Sequence, residues 1–122
     1  MGEANVVDFE ELLLPRRSVA ELFEIGARLV RENADLPAPF LLCDVSPGLG
    51  ELSFQLEPEP ASVPVLVAWA DRFAGVIRAG AATRNGGEPY RCVRVTFPFR
   101  GVPVLMYVHL AMPEPLPFEQ QV

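Results

Sequence analysis

Lysine is missing from this sequence altogether. Its ten basic residues are all arginine, a pattern that reflects GC-rich coding more than any physical demand. Histidine occurs once and cysteine twice. Those are too few ligands, at the wrong spacing, for a metal centre, and no cofactor is expected. No apolar run reaches the roughly 18 residues that cross a bilayer, so no membrane partner is expected either. The N-terminal run MGEANVVDFEELLL has no basic stretch ahead of its apolar part, and Val6 breaks the myristoylation pattern after Gly2. Neither a signal peptide nor a lipid anchor is expected there. Positive charge is outweighed, and the net charge is −6. Such a surface repels a nucleic-acid backbone at long range, which argues against nucleic acid as a partner. These absences leave an acidic, cytoplasmic protein as the expectation.

What is present is a globular composition. Half of the 122 residues are hydrophobic, enough chain for one core without disulfides. Cys43 and Cys92 both fall in strand-like runs and read as small buried hydrophobes, with a disulfide between them as the alternative. Charge is uneven along the chain. Residues 1–61 carry 12 acids and four arginines, and residues 62–122 carry four acids and six arginines. That asymmetry is either a solvated surface, or a means for the two halves, or two copies, to attract each other.

The organising stretch is SVPVLVAWADRFAGVIRAG, residues 62–80. Ser62 suits an N-cap, Pro64 suits a first turn and Gly80 suits a C-terminal stop. Leu66, Trp69, Ala70, Phe73, Val76 and Ile77 make one apolar stripe, which predicts a helix over the whole stretch. Gly75 inside it marks either a tolerated glycine or the close approach of another backbone. A second helix is predicted over 19–33. Ser18 and Glu21 form a capping box there, and Val19, Leu22, Phe23, Gly26, Leu29 and Val30 form its apolar face.

Period-two alternation predicts two hairpins. The first pairs 40–46 with 51–57 around SPGLG, with Leu52, Phe54 and Leu56 inward. The second pairs 90–98 with 102–111 around a two-residue Arg100-Gly101 turn. In that register Val95 faces Met106 and Val93 faces Val108 on the core side. On the other side Arg94 faces Tyr107, Cys92 faces His109 and Thr96 faces Leu105. Pro98 and Pro103 remove ladder donors, so the tip of this hairpin is expected to be bent or at an edge. Residues 81–89 read as a loop.

Each half thus reads helix, linker, hairpin and then Pro-Glu-Pro, at 58–60 and 113–115. IGARLV at 25–30 also loosely matches AWADRFAG at 68–75. The predicted fold is α+β: a duplicated αββ unit forming a four-stranded antiparallel sheet with helices packed on one face. Residues 1–122 are read as a single domain. Within it, 1–17 is an N-terminal arm or short helix, 18–60 the first αββ unit, 61–112 the second, and 113–122 a Pro-rich tail.

Candidate chemistry is sparse. Cys92 opposite His109 is the one pair with nucleophilic potential, but no orienting group or oxyanion loop accompanies it. An ordinary cross-strand pair is the simpler reading. Asp44 and Glu51 could face each other across the first hairpin as a carboxylate pair, or be solvated charges beside a turn. The glycine-rich turns lack the strand–loop–helix order of a phosphate cradle. No catalytic residue is assigned. Tyr90, Arg94, Leu105, Tyr107 and His109 make a sheet face richer in aromatics and arginine than ordinary surface, as interface cores are.

The lysine-free composition, WADRFAG at 69–75 and RGVPVLMYVHL at 100–110 make the chain similar to small uncharacterised proteins of Streptomyces-like actinobacteria and of their phages or integrative elements. The resemblance spans about residues 60–110. It implies an accessory or regulatory role and assigns no functional residue. The reading is a non-enzymatic protein–protein interaction or regulatory module, homodimeric, that binds a protein partner through those five residues or a hairpin edge. Alternatives are a small-ligand-binding or enzymatic domain with a pocket near Cys92 and His109, and an acidic secretion-type chaperone or inhibitor.

Overall fold

A computed structural model describes residues 17–83, 87 and 89–111. The predicted arm helix, the second Pro-Glu-Pro and the Pro-rich tail lie outside the described residues. Helix α1 (Val19–Glu32) begins on the predicted capping box. The Ser18 hydroxyl accepts from the Glu21 N–H at 3.1 Å, and the Glu21 carboxylate accepts from the Ser18 N–H at 2.9 Å. Its buried residues are Leu22, Ile25, Gly26 and Leu29. Val19 and Phe23, expected inward, are exposed. The helix is rolled so that Ile25 takes the core side.

Strands β1 (Phe40–Ser46) and β2 (Glu51–Leu56) form the first hairpin. Leu52, Phe54 and Leu56 are buried as the alternation predicts. The ladder slips between Phe40 and Leu42, and Leu41 and Leu42 are left exposed. Asp44 faces Ser53, and Glu51 faces Ser46, so the two carboxylates are not opposed.

Helix α2 (Ser62–Phe73) is shorter than the 62–80 predicted. Ser62 is not its side-chain cap. That hydroxyl is buried and donates to the Glu57 carbonyl at 2.7 Å. Trp69 is fully buried, with its indole N–H donating to the Pro37 carbonyl at 2.8 Å. Phe73 stacks on Phe97 at 4.6 Å between ring centroids. The helix stops at Ala74, which takes a left-handed conformation with φ of 52°. A Cβ on the next residue, Gly75, would stand 3.0 Å from the Val95 side chain and 3.1 Å from the Thr96 carbonyl. Gly75 therefore marks a close backbone approach, and the chain turns there onto the sheet.

Beyond Gly75 the chain forms strand β3 (Val76–Thr83), where the sequence predicts the end of a helix and a loop. Val76 and Ile77 extend the helical stripe on paper, but they are β-branched and pack equally well on a pleated surface. Strands β4 (Pro89–Phe99) and β5 (Val102–Ala111) form the second hairpin in the predicted register. Both turn residues have positive φ, 52° at Arg100 and 76° at Gly101, as a twisted two-residue hairpin requires. Pro98 and Pro103 face each other at its tip. They lie beyond the pairing of β3 and β2, so no ladder bond is forfeited in the middle of the sheet.

The result is an α+β protein with a mixed five-stranded sheet in the order β1-β2-β5-β4-β3. This corrects the expected four-stranded antiparallel sheet. The meander β3–β4–β5 starts at the far edge and returns β5 to the centre, where it lies parallel to β2. The halves are αββ and αβββ, so the expected duplication of one unit is not seen. Both helices cover one face. Gly26 of α1 lies against Leu52 and Phe54, and α2 packs through Trp69 and Phe73 into the same core. No helix among the described residues is long and apolar enough to cross a membrane.

Candidate interaction face

Alternation sends every second residue of the sheet away from the helices. The register then sets those residues in rows. One row runs Asp44, Ser53, Leu105, Thr96, Val76 from β1 to β3, and the next runs Leu42, Gln55, Tyr107, Arg94, Arg78. Beyond them His109, Cys92 and Gly80 are aligned. All five residues singled out by sequence, Tyr90, Arg94, Leu105, Tyr107 and His109, fall on this outer face. Tyr90 and Tyr107 each approach the His109 ring, with centroids 4.8 Å and 5.1 Å away.

The face carries two open grooves that meet at Arg94 and Leu105. One, of about 600 Å³, is bordered by Arg78, Tyr90, Cys92, Tyr107 and His109. The other, of about 590 Å³, runs past Thr96 and Pro103 to Glu51. Among the described residues no helix or strand covers either.

The sequence missed Arg78, having placed it in a helix. It lies directly opposite Arg94 across β3 and β4. Like charges so placed are destabilising. Elsewhere arginines find carboxylates: Arg72 with Asp35 at 2.5 Å, Arg100 with Glu32 at 2.6 Å, and Arg28 and Arg31 with Glu24. Among the described residues, neither Arg78 nor Arg94 makes an ion pair. The nearer acids on this face, Asp44 and Glu51, sit on the far strands β1 and β2.

Cys92 and His109 are register partners, but the thiol is not activated. Burial pushes its pKa up, and the nearby Arg94 charge opposes that only in part. Burial also raises the Tyr107 phenol, with smaller contributions from Asp44 and Cys92. Cys43 is free and lies on the helix side of β1, and Cys92 is free on the outer face of β4. The sheet itself separates them, so the alternative of a disulfide falls. Among the described residues, no group of three or more His, Cys, Asp or Glu side chains could hold a metal ion.

Fold and face together define a two-layer α+β protein with one sheet face under helices and the other, among the described residues, open. Comparison with known proteins finds no matching family model and no matching curated sequence.

Proposed function

We propose that this chain is a non-enzymatic protein–protein interaction or regulatory module that takes a protein partner on the outer sheet face. The observation that carries this reading is the gathering of Tyr90, Arg94, Leu105, Tyr107 and His109 on one face that no helix or strand covers among the described residues. Aromatic rings on a sheet offer large contact area at low conformational cost, and arginine adds charge and planar donors. A small-ligand or enzymatic role draws less support. Cys92 and His109 border an open groove, face away from the helices, and hold an unactivated thiol.

Affinity capture of the tagged protein from its native host lysate, with light scattering on the eluate, tests the proposal and its homodimeric form. Arg94→Glu combined with Tyr107→Ala should abolish capture of a stoichiometric partner. The circular dichroism melt should stay nearly unchanged, because relief of the like-charge Arg78–Arg94 pairing offsets the lost Tyr107–His109 ring contact. Undiminished capture by the double variant would remove this face as the site.

A further inference from the structure

We propose that the partner is an acidic, extended segment of another protein, which adds to β3 as a sixth strand and sets a carboxylate beside Arg78 and Arg94. The proposal rests on the outer-face reading above and narrows it. Two independent features point to it.

The first is electrostatic. Arg78 and Arg94 face each other in register, without a carboxylate among the described residues, in a protein whose acids outnumber its basic residues by 16 to ten. Like charges on opposed cross-strand residues are unfavourable until an anion joins them. Arginine's planar donors suit a carboxylate in that position.

The second is the strand edge. β3 is the end strand of the sheet, and among the described residues nothing pairs with its other side. Its eight residues, VIRAGAAT, pair with β4 without a register slip, and they contain no proline and one charge. Edge strands are normally blunted by bulges, prolines or several charges. The opposite edge, β1, has its register slip. β3 has small residues at Ala79, Gly80 and Ala81 and an unbroken ladder, which suits strand addition.

Geometry joins the two features. A strand added beside β3 lies about 4.8 Å from it and extends the row Leu42, Gln55, Tyr107, Arg94, Arg78 by one residue. That residue faces Arg78 directly and lies in line with Arg94 two strand spacings away, about 9.6 Å, a gap that a glutamate and an arginine side chain can span together. Alternate residues of the added strand share this outer face, so the favoured pattern is acidic at every second position. A second copy of this chain fits the site poorly, because pairing β3 with β3 would bring Arg78 and Arg94 toward their own counterparts.

The test uses the full chain and a capped eight-residue peptide alternating glutamate and valine, with its glutamine and lysine counterparts as controls. The glutamate peptide should bind at least tenfold more tightly than the glutamine peptide. Amide chemical-shift changes should concentrate on residues 76–83 and at Arg94. Arg78→Glu should reverse the preference toward the lysine peptide, and N-methylation of alternate peptide residues should abolish binding without any change to the protein. Equal binding of glutamate and glutamine peptides, binding that survives N-methylation, shift changes confined to β1, or no binding at millimolar peptide would each overturn the inference. So would self-association through β3 in the absence of peptide. If a captured partner is lost on the Arg94→Glu, Tyr107→Ala variant while the peptide fails, the outer-face reading stands and this inference alone is overturned. If the double variant keeps its partner, the outer-face reading is the one that falls.

Discussion

The two halves of the chain, α1–β1–β2 and α2–β3–β4–β5, each open with a helix but differ at both helix ends. α1 starts on a side-chain capping box and passes through Asn33 into a long linker before β1. α2 has no side-chain cap and breaks at a left-handed Ala74 straight into a strand. α1 lies over the edge hairpin, and α2 lies over the long central strands. Similar helical segments thus hold different places in one fold. Ile25 and Trp69 are both buried on the sheet side of their helices. Ile25 is one of several buried aliphatics, whereas Trp69 links Phe40 to Phe73 in an aromatic row and ties the linker at Pro37.

The largest effect that would test this difference is Trp69→Ala. It removes a fully buried indole and orphans the Pro37 carbonyl, and should destabilise by about 3–5 kcal/mol in urea unfolding. A loss below about 1 kcal/mol would mean that α2 does not anchor the second half. Next come the two helix-associated glycines. Gly75→Ala forces a methyl group against Val95 and the Thr96 carbonyl and should cost about 1–3 kcal/mol. Gly26→Ala meets only ordinary contacts with Phe54 and Leu52 and gains helix propensity, so it should be neutral or stabilising by up to about 1 kcal/mol. Equal effects would erase the distinction between a glycine at a crossing and one within a helix.

The smallest effect concerns Arg28 and Arg72, one on each helix. Arg28 contacts Glu24 within its own helix, whereas Arg72 reaches Asp35 and the buried Asn33 of the other half. The hydrogen bond from Arg72 holds the Asp35 carboxyl below its ordinary value of 3.8. A depressed carboxylate stabilises the fold above its unfolded pKa, and that contribution is lost as pH falls through the folded pKa. Arg72→Ala should therefore lower the melting temperature slightly at neutral pH, with the gap from the parent narrowing below about pH 4. Arg28→Ala should show neither behaviour.

Much of this architecture was legible residue by residue. The capping box announced α1, and alternation announced both hairpins. Counting outward from Arg100-Gly101 placed Arg94 beside Tyr107 and Cys92 beside His109. The candidate face was legible for the same reason: a tight turn propagates its register down both strands. Arg78 was not legible, because Val76 and Ile77 satisfy a helical stripe and a strand equally well. The roll of α1 was also hidden. Phe23 and Ile25 are both apolar, and only the position of the sheet selects between them.

Local patterns are therefore written in the chain directly: the capped start of α1, four of the five strands, the register of β4 against β5 and the outer-face residues that those two strands carry. Those depend on contacts a few residues apart. Long-range packing was needed to set where α2 stops, that β3 exists, that β5 enters between β2 and β4, and that Arg78 meets Arg94. The reason is physical. The position after Ala74 must be a glycine because Val95 and Thr96, some twenty residues onward, stand where a side chain would go.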